Sequence, residues 1–319
     1  MKRQYNTLLK LDALSYGIGI VLLLILLCPS KSVAQQDSQY TQYMYNTSTI
    51  NPAYAGTRGS LNFTGLYRTQ WVGLDGAPET LNFTVSNAFN ERVGAGLSFV
   101  QDKIGPSNES TITADFAYVL PMSDNGLKLS FGLKGGINLL DVDYTRLNIY
   151  NPGENVFQYN IDNRLTPIIG VGMYLYSDKG YFGVSVPNLL ETTHYDDTTV
   201  SNATEKFNFY AIAGYVFNLS SNTKFKPAVL GKAVYGAPVA IDLSANFLFN
   251  EKFTLGAAYR LDAAVSALAG FQVSDQVFIG YAYDYDTTEL GNYNSGSHEI
   301  FLRWEIFKGA RPIVSPRFF

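Results

Sequence analysis

The sequence predicts an all-β fold: a transmembrane antiparallel β-barrel of about 14 strands with a short periplasmic N-terminal lead. Three observations carry this expectation. Hydrophobicity alternates with period two in segments of about ten residues, long enough to cross a bilayer as tilted strands. The gaps between segments sort by parity, with every long gap in one set. The composition pairs few charges (16 %) with many aromatics (14 %), including 23 Tyr and 21 Phe.

The first element is an export signal. Lys2, Arg3 and Lys10 are basic, residues 18–27 are continuously apolar, and Pro29 and Ser32-Val33-Ala34 follow. A basic start, a short apolar core and a small-x-small site make a secretory signal peptide over 1–34, too short in its apolar core for a membrane span. Cys28 is preceded by Leu27, where a lipoprotein site takes a small residue. Cleavage after Ala34 removes the chain's one cysteine, so disulfides contribute nothing. It also moves the net charge from −4 to −7. With no basic excess, nucleic acid is not an expected partner.

Residues 35–59 form the lead, polar and rich in Tyr and Asn. It either plugs the barrel or lies beneath it. The barrel follows over 60–307. Its segments are 60–68, 79–88, 93–102, 110–120, 127–141, 167–176, 180–187, 206–218, 224–234, 238–249, 253–261, 263–273, 277–285 and 298–307. In the fifth, Leu129, Phe131 and Leu133 alternate with Lys128, Ser130, Gly132 and Lys134. Successive strand side chains point to opposite faces, so each segment has one greasy and one polar side. The short gaps hold tight-turn residues, as in Asn90-Glu91-Arg92 and Ser177-Asp178-Lys179. The long gaps are 69–78, 143–166, 188–205 and 286–297. A barrel with short periplasmic turns and long outer loops sorts its connections this way, whereas a soluble sandwich has no reason to. An even strand number leaves both termini in the periplasm. Residues 308–319 form a basic periplasmic tail: a docking peptide for another component, a recognition end for the barrel-insertion machinery, or a disordered end.

Alternation places Arg68, Asp115, Lys128, Lys134, Lys226, Lys232, Asp242, Arg260, Asp284, Arg303 and Glu305 on the lumen side. Their mixed signs suit internal ion pairs better than a selective constriction. Tyr259, Tyr281, Tyr283 and Tyr285 are candidates for an aromatic girdle at the lipid boundary.

Catalytic motifs are absent: the chain contains no P-loop, GxSxG, HExxH, CxxC or EF-hand pattern. Two His and one Cys cannot build a His- or Cys-rich metal centre. His194 beside Asp196 and Asp197 in an outer loop is the one seed of a hydrolase hypothesis, against a solvated acidic loop. Asp141, Asp143, Asp284 and Asp286 fall near the outer rim, where oxygen ligands either bind Ca²⁺ or meet solvent. His298 and Glu299 adjoin in sequence and therefore face opposite ways on a strand. No enzyme activity, cofactor or metal is expected.

Several segments carry a resemblance. They are Asn51-Pro52-Ala53-Tyr54-Ala55-Gly56, Arg68-Thr69-Gln70-Trp71, Pro78-Glu79-Thr80, Gly94-Ala95-Gly96, Gly280-Tyr281-Ala282-Tyr283-Asp284, Gly296-Ser297-His298-Glu299-Ile300 and Ser315-Pro316-Arg317-Phe318-Phe319. Together they resemble the PorP/SprF family of outer-membrane proteins, which belongs to the type IX secretion and gliding machinery of Bacteroidota. The first segment and Gly296–Ile300 are the specific parts. The resemblance implies an accessory barrel in the cell outer membrane that supports secretion or surface attachment of large cargo. Its partners would be type IX secretion components, a large secreted adhesin with a C-terminal sorting domain, and outer-membrane lipid. It points to Arg68, Gln70, Trp71, Asn51, Pro52, His298, Glu299 and Arg317 as partner-contact candidates. From periodicity alone, an outer-membrane porin or substrate-selective channel remains the alternative.

Overall fold

A computed structural model describes residues 40–146, 160–190, 192–193, 204–205, 208–234, 237–307 and 317. The signal peptide with Cys28, the His194 segment and the tail other than Arg317 lie outside the described residues. Chain contacts separate two units; the lead, the strands and Arg317 belong to the one formed by Gln35–Tyr235 and Val239–Phe319.

Fourteen strands form the wall: β1 (Leu61–Thr69), β2 (Glu79–Ala88), β3 (Val93–Ile104), β4 (Ser107–Pro121), β5 (Lys128–Val142), β6 (Ile161–Tyr176), β7 (Gly180–Val186), β8 (Asn208–Tyr215, continued by Phe217–Asn218), β9 (Thr223–Val234), β10 (Ala240–Phe249), β11 (Phe253–Arg260), β12 (Ala264–Gln272), β13 (Val277–Asp286) and β14 (Ser297–Ile306). Each is antiparallel to its neighbour in sequence, and β14 pairs with β1 from Leu61↔Ile306 to Thr69↔His298. The sheet is closed, so no strand edge is left unpaired, as hydrocarbon requires.

The faces separate as alternation predicts. On β2, Leu81 and Phe83 point outward, 44 % and 47 % exposed, while Thr80, Asn82, Thr84 and Ser86 are buried toward the lumen. The greasy side meets lipid and the polar side makes the interior, the reverse of a soluble domain. Tyr259, Tyr281 and Tyr285 lie on the outer surface with the exposed face of Trp304.

The short turns share one local device. Asn90 Oδ1 accepts from the Arg92 and Val93 amides, Ser123 Oγ from Asn125, Ser177 Oγ from Gly180, Ser220 Oγ from Asn222, and Ser274 Oγ from Gln276 and Val277. The opening side chain stands in for a missing ladder partner and fixes the turn. The turn between β10 and β11 instead uses Asn250 and Glu251 at positive φ (51° and 57°).

Two boundaries differ from the sequence expectation. The link between β3 and β4 shrinks to Gly105-Pro106, and β6 begins at Ile161 rather than 167. These strands continue as polar ribbon toward the outer side, where Gln101 Nε2 donates to Asn108 Oδ1. Above the membrane neither face has to be greasy, so pairing persists where alternation stops. The outer connections therefore include one more short member, and the long ones all remain on that side.

Candidate functional site

The lumen is occupied by the chain's own lead. Residues 40–57 are nearly all buried, among them Gln42 at 1 % and Asn51 at 0 % exposure. Of the two positions left open by the sequence, plug and underlay, the hydrogen bonds place residues 41–51 inside. The lead forms a short helix, α1 (Thr47–Ile50), and a 3₁₀ turn, Pro52–Tyr54, which Asn51 caps by accepting from the Ala53 amide. Pro52 at the first position of the turn needs no amide partner.

Its outer end is anchored by charge. The Thr41 and Gln42 amides donate to the two oxygens of Glu299 at 2.9 and 2.8 Å. Thr41 Oγ1 donates to Asp284 at 2.6 Å. Arg68 completes the cluster, 2.7 Å from Asp284 and 3.2 Å from Glu299, and donates to Thr41 Oγ1. One guanidinium against two buried carboxylates leaves an acceptor excess that the lead's amides and hydroxyl meet. The wall is thus incomplete without the lead.

The middle is held by shape. Gly94, Gly132, Gly172 and Gly183 line the lumen faces of β3, β5, β6 and β7. A side chain at Gly132 would fall on the Ala53 backbone, at Gly94 on the Ala55 carbonyl, and at Gly172 on the Asn51 side-chain oxygen. Gly56 (φ +73°) lies against Gly94 and has no room for a Cβ either. Asn51 Nδ2 donates to the Met173 carbonyl, and Ser185 Oγ to that of Ile50. Tyr45 sits against Phe278 and Phe301, ring centroids 5.2 and 5.5 Å away, which explains two phenylalanines on the lumen face.

The periplasmic end is a clamp. Arg58 makes a two-pronged pair with Glu305 (2.7 and 2.8 Å), joined by Ser60. Burial opposes the charge on Arg58, yet Glu305 beside it holds its pKa above the usual value. Along the wall, Lys134 pairs with Asp115 and Arg260 with Asp242.

These placements correct the reading of the partner-contact candidates. Arg68, Asn51, Pro52, Glu299 and Arg317 are enclosed and offer no outer surface. Arg68 and Glu299 face the lumen because alternation puts them there, and Asn51 and Pro52 sit on its glycine wall. Gln70, Trp71 and His298 are half-buried at the outer end. Trp71 (φ +48°) donates its amide to Ser297 Oγ. His298 points away from Glu299, as expected, and its Nδ1 meets the Tyr281 hydroxyl at 2.6 Å. The rim aspartates go separate ways: Asp141 accepts from the Asn163 amide, Asp143 from Thr145 and Asn160, and Asp284 binds Arg68. The Thr145 hydroxyl, with its amide and Asn160, holds the exposed Asp143 carboxyl below its usual pKa. Among the described residues no three His, Cys, Asp or Glu side chains are grouped to hold a metal ion. Sequence reasoning missed Thr41, Gln42 and Arg58. A signal for the trough was present in the inward glycines, read only as alternation.

The family described as "Type IX secretion system membrane protein PorP/SprF" matches residues 32–304. The chain belongs to that family. It is an outer-membrane β-barrel of type IX secretion, and PorP/SprF membership associates it with the components of that system. No curated protein matches. Solved structures similar to this PorP/SprF chain include the Acinetobacter baumannii outer membrane protein Omp33, at 10 % identity over 78 % of this chain and 100 % of that one (TM-score 0.47). The CymD monoaromatic hydrocarbon channel is 11 % identical over 86 % of this chain and 95 % of its own (TM-score 0.47). The KdgM porin is 8 % identical over 77 % and 100 % (TM-score 0.35).

Proposed function

We propose that this protein is a non-enzymatic accessory of the type IX secretion and gliding machinery that works by protein contacts rather than by passing solutes. The single observation behind this reading is the lead inside the lumen, tied to the wall at Glu299, Asp284 and Glu305. A diffusion channel would need that volume free. The outer loops then engage a large secreted surface protein such as an adhesin with a C-terminal sorting domain, and the periplasmic face engages the secretion components.

An outer cleft of about 670 Å³, lined by Gln70, Leu74, Glu79, Lys103 and Arg146 among others, is a candidate for the cargo side. Both signs of charge in its lining, Glu79 with Lys103 and Arg146, suit a polypeptide better than a single-charge ligand. Purification of the mature protein from native outer membranes in mild detergent, with mass spectrometry of what accompanies it, tests the proposal. Secretion subunits together with one large adhesin support it. A lone barrel that conducts ions in a planar bilayer overturns it and favours a porin or substrate-selective channel.

A further inference from the structure

Arg317 lies 10 residues beyond Phe307, the last described residue after the final strand, yet it is 6 % exposed. It sits at the periplasmic end of the barrel, against the turn that joins β6 to β7. Its Nη1 donates to the Ser177 carbonyl at 2.6 Å and its backbone amide to that of Asp178 at 3.3 Å. Its Nη2 donates to the Thr57 carbonyl of the lead at 2.9 Å. The guanidinium lies over the Tyr176 ring, 4.2 Å from its centroid, and Lys226 Nζ donates to the Arg317 carbonyl at 3.4 Å. A planar fork on two carbonyls and an aromatic face is recognition that lysine cannot reproduce.

The acceptors come from two different parts of the molecule. Ser177 and Asp178 belong to the wall, and Thr57 belongs to the lead. A side chain that bridges them holds the lead in the lumen from outside. We propose that this periplasmic socket is a binding site for an arginine presented on a peptide, filled at rest by the chain's own Arg317, and that vacating it loosens the lead. The proposal rests on the lead as the element that fills the lumen, not on the identity of any cargo. A periplasmic partner that takes up the tail would then change the state of the lumen without touching the outer loops.

The test uses the whole mature chain, which has no cysteine after residue 34. Thr49→Cys is the reporter, since Thr49 is half-buried beside a small cavity of about 140 Å³ in the lumen. A small water-soluble thiol reagent should label it about tenfold faster in R317A than with Arg317 present, and at an intermediate rate in R317K. A synthetic peptide of residues 308–319 should bind the R317A barrel saturably and restore slow labelling; the same peptide carrying alanine at 317 should not. Heat-dependent migration in gels confirms that each variant is a folded barrel, and R317K carries the test if R317A does not insert. Equal labelling rates with and without Arg317, or no saturable binding of the peptide, would overturn the proposal. Either result leaves the partner-purification experiment unaffected.

Discussion

The lead is held by two walls that work differently. Around β1, β13 and β14 the contact is electrostatic: Arg68, Asp284 and Glu299 meet the amides and hydroxyl of Thr41 and Gln42. Around β3, β5, β6 and β7 it is steric: glycines open a trough for Asn51–Gly56. The difference separates strength from fit. The charged wall fixes the height at which Thr41 and Gln42 sit, because their amides and hydroxyl complete the shells of its buried carboxylates. The glycine wall fixes which backbone can lie there, because a single methyl group would collide with it.

The largest effect follows from breaking the steric wall. Gly132→Leu places a side chain on the Ala53 backbone, which cannot yield without moving the lead. The barrel should still close, since the substitution leaves its ladder intact, while the lead becomes open to protease in detergent. Limited proteolysis near residues 51–56 checks this; an unchanged digestion pattern would show that the trough is not what seats the lead.

Breaking the charged wall comes next. Arg68→Leu strands two buried carboxylates and should cost about 3–5 kcal/mol in denaturant unfolding of the folded barrel. The triple change Arg68→Leu, Asp284→Asn, Glu299→Gln should cost less than Arg68→Leu alone, since it leaves no buried charge behind. Additive losses across the series would mean that the three residues do not act as one cluster.

Arg58→Ala at the periplasmic clamp should cost about 1–3 kcal/mol, less than Arg68→Leu, because Arg303 remains 3.2 Å from Glu305. The smallest effect lies outside the barrel. The Asp143 carboxyl titrates below its unfolded value, so its contribution is complete above the ordinary aspartate range, about pH 3.9, and lost as pH falls through the folded value. Stability is therefore not expected to change with pH near neutrality, and Asp143→Asn should lower it only slightly in the same unfolding assay, since the carboxyl is exposed. A pH-dependent loss near neutrality would point to a different group.

The wall was legible in the sequence and the lead's place was not, for a physical reason. Alternation reports which face of a strand each residue occupies, so Arg68, Lys134 and Glu305 were placed on the lumen side from position alone, where they are buried. It says nothing about a segment without a period. Among its described residues the lead has no regular element longer than α1, and its hydrogen bonds to the wall reach as far as 258 positions along the chain, from Thr41 to Glu299. The segments that carry the family resemblance became intelligible only in three dimensions. Arg68, Asp284 and Glu299 come from three of them and meet in one cluster. Asn51–Gly56 and Gly94–Gly96 are two sides of one contact. Arg68, Glu299, Asn51 and Pro52 were read as partner-contact candidates because sequence shows specificity of pattern and not the direction in which it is used. Polar ribbon at the ends of β3, β4 and β6 escaped for a related reason: strand pairing outlasts the lipid that imposes alternation.

If the lead occupies the lumen, planar-bilayer recordings of the purified mature protein should show a silent barrel, and its Gly132→Leu variant should show discrete open-channel steps. Equal, steady conductance in both would mean that the lead does not block the lumen.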